Sequence, residues 1–160
     1  MSGMKRVLNR IASISVSAMN WLAPLYGRKR MEVVSTTQLS DLLAQSDVVV
    51  VLVDVRSSRE REASLIPGAI TAAEFEADAE QHRESLVIPY CTVGGRSLFY
   101  AQSLHQRGFD VRNYQGGVLD WCEHQLPLMT SEGQQTNRVH PYSGLFYVPD
   151  PYVKTKAKQS

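Results

Sequence analysis

Apolar residues recur with a helical period from Met4 to Leu22. Val7, Leu8, Ile11, Ile14, Ala18, Met19 and Leu22 fall on one side, and Lys5, Arg6, Asn9, Arg10, Ser13, Ser17 and Asn20 on the other. The spacing predicts one basic amphipathic helix that ends near Pro24, whose ring blocks continuation. Three readings stay open for it: a helix lying on an anionic membrane or a partner, a cleavable targeting peptide, or a helix packed on its own domain. Its acid-free, Arg- and Ser-containing composition suits an organelle transit peptide, and Val16-Ser17-Ala18 passes as a weak signal-peptidase site.

From Val33 the pattern changes to alternating strands and helices. Thr36 or Thr37 can cap a short helix with Leu39, Leu42 and Leu43 on one face. The run Val48-Val49-Val50-Val51-Leu52-Val53 ends at Asp54 and is apolar on both faces, which predicts a central strand covered on both sides. A second strand is expected over Leu86 to Tyr90, just before Cys91, and a third over Val111 to Tyr114, just before Gly116-Gly117. Between them a helix is expected from about Ser97 to Arg107, ended by Gly108. The predicted class is α/β, an open parallel sheet flanked by helices on both faces, with ligands at the carboxyl ends of the strands. Asp54, Cys91 and Gly116 all occupy such ends.

Past Pro127 the regular pattern is lost. Residues 131–160 hold Pro141, Pro149 and Pro151, the aromatics Tyr142, Phe146, Tyr147 and Tyr152, and a closing Lys154, Lys156 and Lys158. The expectation is an irregular tail pinned to the domain by its aromatics with a loose lysine end, or else a strap for docking a partner. The chain thus divides into an extension (1–32), an α/β domain (33–130) and a tail (131–160).

Composition narrows the classes. With 160 residues, 43% of them hydrophobic, the chain has material for one core of ordinary size. Lys5, Arg6, Arg10, Arg28, Lys29 and Arg30 all precede the first acid, Glu32; taking those six from the formal net charge of +1 leaves −5 on the rest. A body of that charge argues against nucleic-acid binding. Two cysteines do not make the disulfide framework of a small secreted domain, so a reducing, cytoplasmic setting is expected. No apolar run approaches the roughly 20 residues of a spanning helix. A soluble protein is expected, with peripheral membrane contact through residues 4–22 or organelle targeting as the alternatives.

The chemistry concentrates in Cys91-Thr92-Val93-Gly94-Gly95-Arg96-Ser97, between a strand and a helix start. Backbone N–H groups at a helix N-terminus lack intrahelical acceptors and carry partial positive charge. A cysteine facing them is poised to react as a thiolate. Gly94 and Gly95 let the backbone curl into an anion-binding nest, and Arg96 adds a permanent positive charge. A persulfide anion, Cys–S–S⁻, suits such a cradle. A cysteine at a strand end is more often a small buried hydrophobe, and Cys122, which has none of these companions, reads as that kind of filler.

The segment resembles the active-site loop of the rhodanese family, in which cysteine and four loop residues are followed by arginine and serine or threonine. Asp54-Val55-Arg56, Glu60 and Ile66-Pro67-Gly68-Ala69-Ile70 are similar to that family's stretch ending in an isoleucine-proline-glycine-alanine turn. Tyr114-Gln115-Gly116-Gly117 with Trp121 resembles its closing double glycine and tryptophan. Together these cover about Val33 to Leu128. The resemblance implies a single-domain sulfurtransferase that moves sulfane sulfur from a small donor to Cys91 and on to an acceptor. That acceptor would be a thiol, cyanide, a thioredoxin or a sulfur-carrier protein. Cys91 is then the covalent residue and Thr92 to Ser97 hold the substrate, with no metal or cofactor. Asp54 and Arg56 support, either by holding the loop or through a salt bridge between Asp54 and Arg56 or Arg59.

Two departures bear on specificity. Ser64-Leu65 stands where many relatives have glycine-histidine. Thr92 and Val93 stand where some thiosulfate-using relatives carry basic residues, so attraction of the thiosulfate dianion should be weaker. Related phosphatases and arsenate reductases have one more residue between cysteine and arginine, and the four-residue interval here favours sulfur as the guest. A second rival remains, a non-catalytic interaction or regulatory module of the same fold.

Overall fold

The apolar valine run builds the middle of a parallel sheet. In the computed structural model, which describes residues 2–45 and 47–155, β2 (Val50–Asp54) runs beside β3 (Ile70–Thr71) and β4 (Leu86–Tyr90), both parallel to it. A second parallel pair, β1 (Val33–Val34) with β5 (Asn113–Tyr114), joins the first through a bridge between Val87 and Val111. The order across the sheet is β1-β5-β4-β2-β3. The strand predicted from Val48 begins two residues late, because Val48 and Val49 lie outside the ladder and are exposed. The expected third strand keeps Val111 only as an isolated bridge.

Strand alternation sends side chains to two cores. Leu52, Ile88 and Tyr90 meet Leu39 of α2 (Thr36–Ala44) and Val118, Leu119, Trp121 and Cys122 of α6 (Gly117–Glu123). Val53 and Val87 face the other way, onto Phe75 of α4 (Ala72–Ala77) and Leu98, Ala101 and Leu104 of α5 (Gly95–Gln106). Helices therefore flank both faces, with the short α3 (Ser58–Arg61) following β2. Two predicted boundaries are corrected. Ser35, not Thr36 or Thr37, caps α2: its Oγ accepts the Gln38 N–H at 3.2 Å and its own N–H donates to the Gln38 side chain at 2.9 Å. The Thr36 hydroxyl is instead spent on the Tyr114 hydroxyl, 2.7 Å away, and on Asp120. α5 begins at Gly95 rather than Ser97, so the glycine pair itself is the helix start.

Both extensions lie on this body. α1 (Ser2–Leu22) packs against α5 with Val16 in the second core, but through its polar side. Asn20 exchanges two hydrogen bonds with the Met31 backbone, at 2.8 and 2.9 Å, while Val7, Ile11 and Ile14 of the predicted apolar side face outward. After a hairpin of β6 (Leu128–Met129) and β7 (Gln135–Thr136), the tail returns as β8 (Arg138–Val139) paired with β9 (Val153–Lys154). Val139 and Tyr152 enter the first core. Tyr147 accepts from Arg6 through its hydroxyl at 2.7 Å and exchanges two backbone bonds with Asn9, each 3.0 Å, so each extension holds the other. Lys156 and Lys158 lie outside the described residues.

Candidate active site

Cys91 follows β4 immediately, and residues 92–94 turn back to start α5. The turn needs glycine at two places. Gly94 has φ 85°, and a Cβ there would lie 2.2 Å from the Gln115 carbonyl oxygen. Gly117 has φ 62°, and a Cβ there would lie 2.6 Å from the Cys91 oxygen and 2.5 Å from that of Thr92. That closeness lets the Val118 N–H reach the Cys91 carbonyl at 2.9 Å and the Leu119 N–H reach that of Thr92 at 3.3 Å. The loop's carbonyls are thus bound by α6. The Gly94 carbonyl is held likewise, by the Leu98 N–H at 3.1 Å and the Asn113 amide at 3.3 Å.

The amides are left for the sulfur side. Gly94 N–H donates to Cys91 Sγ at 3.2 Å. Ser97 Oγ lies 3.7 Å from Sγ and 3.1 Å from the Gly94 oxygen, and its single proton serves one of them at a time. Among the described residues, the amides of Val93, Gly95 and Arg96 take no protein acceptor, as expected of a first helical turn. Cys91 itself is only 1% exposed, and Val93, Gly95 and Arg96 of its loop are half-buried. A cleft of about 600 Å³ beside α1, α2 and α6 reaches the loop only at Val93 and so flanks Cys91.

The charge is arranged differently from the simple expectation of a lone arginine. Arg96 forks onto Glu60 with Nη1 and Nη2 at 2.8 and 2.7 Å, while Thr92 Oγ1 donates to the same carboxylate at 2.6 Å. Ser57 adds its N–H at 3.0 Å and its hydroxyl at 2.8 Å. Burial would raise the Glu60 pKa, but the donors from Arg96, Thr92 and Ser57 outweigh it and hold the group at about 2. The ring of Tyr142 lies 4.6 Å from the Arg96 guanidinium, bringing the tail to the edge of the loop. Thr92, expected to contact substrate, spends its hydroxyl on this scaffold instead.

Asp54 and Arg56 do not join the loop. Arg56 Nε and Nη2 bind both oxygens of Asp54, and Nη2 also donates to the Ser64 carbonyl at 2.6 Å. Tyr90 donates its hydroxyl to Asp54 at 2.6 Å and accepts the Ile66 N–H at 3.1 Å. Burial and the Asp54 carboxylate push the Tyr90 phenol well above its ordinary pKa, so it remains a donor. This network fastens β2, β4 and the turn at Ile66. Cys122 is free, as Cys91 is, but wholly buried, and burial pushes its thiol up to about 12. Glu60 received no role from the sequence, although Ser57 three residues before it is the spacing of a helix-capping box. Tyr142 is one of the aromatics expected to pin the tail to the domain, but nothing in the sequence pairs it with Arg96.

Comparison with known proteins gives a consistent picture. The family model of the rhodanese-like domain matches residues 35–124. A sulfurtransferase of Allochromatium vinosum is 32% identical over 104 residues, covering 62% of this chain and 96% of that protein. A tRNA uridine(34) hydroxylase of Acinetobacter baumannii is 33% identical over 98 residues, 55% of this chain but 31% of that protein. Among solved structures, thiosulfate sulfurtransferase of Pseudomonas aeruginosa shares the fold at TM-score 0.57 and 18% identity, over 80% of this chain and 24% of that one. A Rhodopseudomonas palustris protein described as a possible tyrosine phosphatase aligns at TM-score 0.58 and 25% identity, over 71% and 92%.

Proposed function

The chain belongs to the rhodanese-like domain family, and from that premise we propose that it transfers sulfane sulfur through a persulfide on Cys91. The observation that carries the reading is the loop geometry: Sγ receives the Gly94 N–H and neighbours Ser97 Oγ, while the loop carbonyls of Cys91 and Thr92 are tied to α6. In the first step Cys91 thiolate attacks the outer sulfur of a donor R–S–S⁻. A new S–S bond forms, and the donor's inner sulfur leaves with the electron pair of the broken bond. The unbound amides of residues 93, 95 and 96 stabilise the terminal sulfur anion as nest donors. In the second step an acceptor thiolate takes that terminal sulfur and Cys91 leaves as thiolate. No net electron transfer occurs.

The donor brings less charge into the loop than thiosulfate does, as a persulfide whose other charged groups lie away from the reacting sulfur. Neither Thr92 nor Val93 is basic, and Arg96 is neutralised by Glu60, so the loop offers thiosulfate little attraction beyond its amides. A thiol persulfide such as glutathione persulfide fits better, with a small thiol or a protein thiol as acceptor in a reducing, cytoplasmic setting. The test is mass spectrometry after incubation with glutathione persulfide. One sulfur atom is expected on Cys91, and none in Cys91→Ser. Absence of loading with persulfide, thiosulfate and a mercaptopyruvate-type donor alike would leave the interaction module as the function. Hydrolysis of an aryl phosphate that disappears in Cys91→Ser would replace sulfur transfer with phosphatase chemistry.

A further inference from the structure

α1 is docked with its polar side inward. Asn9, Ser13, Val16 and Asn20, spaced three or four residues apart, form the face turned to the domain, with Met19 packed on the second core at its edge. It is held by paired bonds between Asn9 and the Tyr147 backbone, between Asn20 and the Met31 backbone, and by the Gln115 amide on the Ser13 carbonyl at 3.1 Å. The opposite stripe is apolar and open to solvent: Met4 is 70% exposed, Val7 53%, Ile11 51%, Ile14 67% and Trp21 63%. Leu25 and Tyr26 extend it past the helix end, both 77% exposed. A helix that served only to cover its own domain would bury this stripe, and a run of exposed apolar side chains of this length marks a binding surface.

The charges around the stripe identify the occupant. Arg10, Arg28, Lys29 and Arg30 accompany it, while Lys5 and Arg6 turn to Gly144 and Tyr147 of the tail, and no acid occurs before Glu32. Arg30 lies 5.6 Å from the Trp21 ring centre and Arg28 5.2 Å from that of the exposed Phe99, pairing aromatics with cations as at a lipid–water boundary. The stripe runs along a helix of about 30 Å and continues past its end through Leu25 and Tyr26. A charge of one sign throughout suits anionic headgroups.

We infer that α1 seats the protein on an anionic lipid surface, with Met4, Val7, Ile11, Ile14 and Trp21 in the acyl boundary and the basic residues against the phosphates. The inference is independent of the chemistry at Cys91, yet the two sites are neighbours. Val16, on the domain side of α1, lies 3.6 Å from where a Cβ of Gly95 would be. The sulfur loop then sits roughly one helix diameter, about 10–12 Å, from the lipid.

The test is pelleting of the full chain with phosphatidylcholine vesicles with and without phosphatidylglycerol. Binding is expected only to the anionic vesicles, weaker at high salt, with a blue shift of Trp21 fluorescence. The triple variant Val7→Gln, Ile11→Gln, Ile14→Gln changes only exposed positions. It is expected to lower the bound-to-free ratio by at least about tenfold while Cys91 still loads sulfur. Should that variant fail to load sulfur, Arg10→Gln with Lys29→Gln carries the test, with a loss of roughly fivefold per cation. Equal pelleting of full chain and variant, or no pelleting of the full chain, overturns the inference. So does self-association in the absence of lipid that the triple variant abolishes, which would make a second copy the occupant.

Discussion

Two carboxylate–arginine pairs stand near the carboxyl end of the sheet, their carboxylates six residues apart in the sequence and their designs opposite. Asp54 and Arg56 have no exposed side-chain surface, and their further contacts go to the framework: Tyr90, the Ser64 carbonyl and the Arg56 backbone N–H, with Arg56 Nη1 left without a partner among the described residues. In the second pair Glu60 is 1% exposed but Arg96 is 37% exposed, and the other donors to Glu60 come from Ser57 and from Thr92 of the loop itself. One pair locks strands together. The other grips the loop from below and leaves its cation at the rim, where its charge is compensated before any substrate arrives. The same side-chain chemistry therefore fastens strands in one place and the loop in the other, where under the proposed function it would also bear on donor choice.

The largest effect expected from breaking this contrast is on the buried pair. Asp54→Ala leaves Arg56 charged and unpaired in the core, and the loss of stability should be about 3–5 kcal/mol by denaturant unfolding. Replacing both partners, Asp54→Leu with Arg56→Met, should recover much of it, because no uncompensated charge is left behind. Sulfur loading per folded molecule should be unchanged in both. A loading defect in the folded fraction would mean that Asp54 reaches the chemistry after all.

The exposed pair should give a smaller stability effect and a change in specificity. Glu60 is held at about 2, below its ordinary 4.5, so its contribution is fully present above pH 4.5 and is lost as pH falls from there toward 2. Glu60→Gln should remove that acid-side loss and cost about 2 kcal/mol at neutral pH, discounted because Arg96 is partly solvated. It also frees the positive charge of Arg96. The rate with thiosulfate relative to glutathione persulfide should then rise severalfold. A lowered stability with an unchanged donor ratio would reduce Glu60 to a structural anchor.

What was legible in the sequence follows how local each feature is. The bounds of β4 and the Cys91 loop are written in contiguous residues, since the strand, the glycine pair and the helix start act on one another directly. Val48 and Val49 look identical to their neighbours in a hydrophobic pattern and fall outside the strand because β4 begins at Leu86, whose N–H reaches the Val49 carbonyl at 3.0 Å and goes no further. For α1 the period separated Val7, Ile11 and Ile14 from Asn9, Ser13 and Asn20, but it placed Met19 with the exposed set although Met19 packs on the second core, and it did not say which face would touch the domain. That was decided by Asn9 and Asn20 meeting the backbones of Tyr147 and Met31, one of them 138 residues away. The contacts of Glu60 with Arg96 and of Tyr142 with the same arginine span the chain in the same manner.

Tyr142 offers the finest test, because it touches the exposed side of Arg96 while Glu60 holds the buried side. Its ring is 62% exposed and its backbone has φ 65°, in the left-handed region that a non-glycine residue occupies at a cost. Cation–π contact at such an exposed site stabilises by only about 0.5–1 kcal/mol, and the unfavourable backbone offsets part of that. Tyr142→Ala should therefore change stability by about 0.5 kcal/mol or less. What it removes is bulk at the rim of a loop whose nucleophile is almost wholly covered. Under the proposed function a small thiol acceptor needs little room at the rim, so its rate should hold, whereas transfer to a protein thiol, which must bring a surface up to the loop, should quicken about two- to threefold. The opposite result, a slower transfer to the protein thiol with the small thiol unaffected, would make Tyr142 a contact for the acceptor rather than a cover, and would assign the tail a share in choosing it.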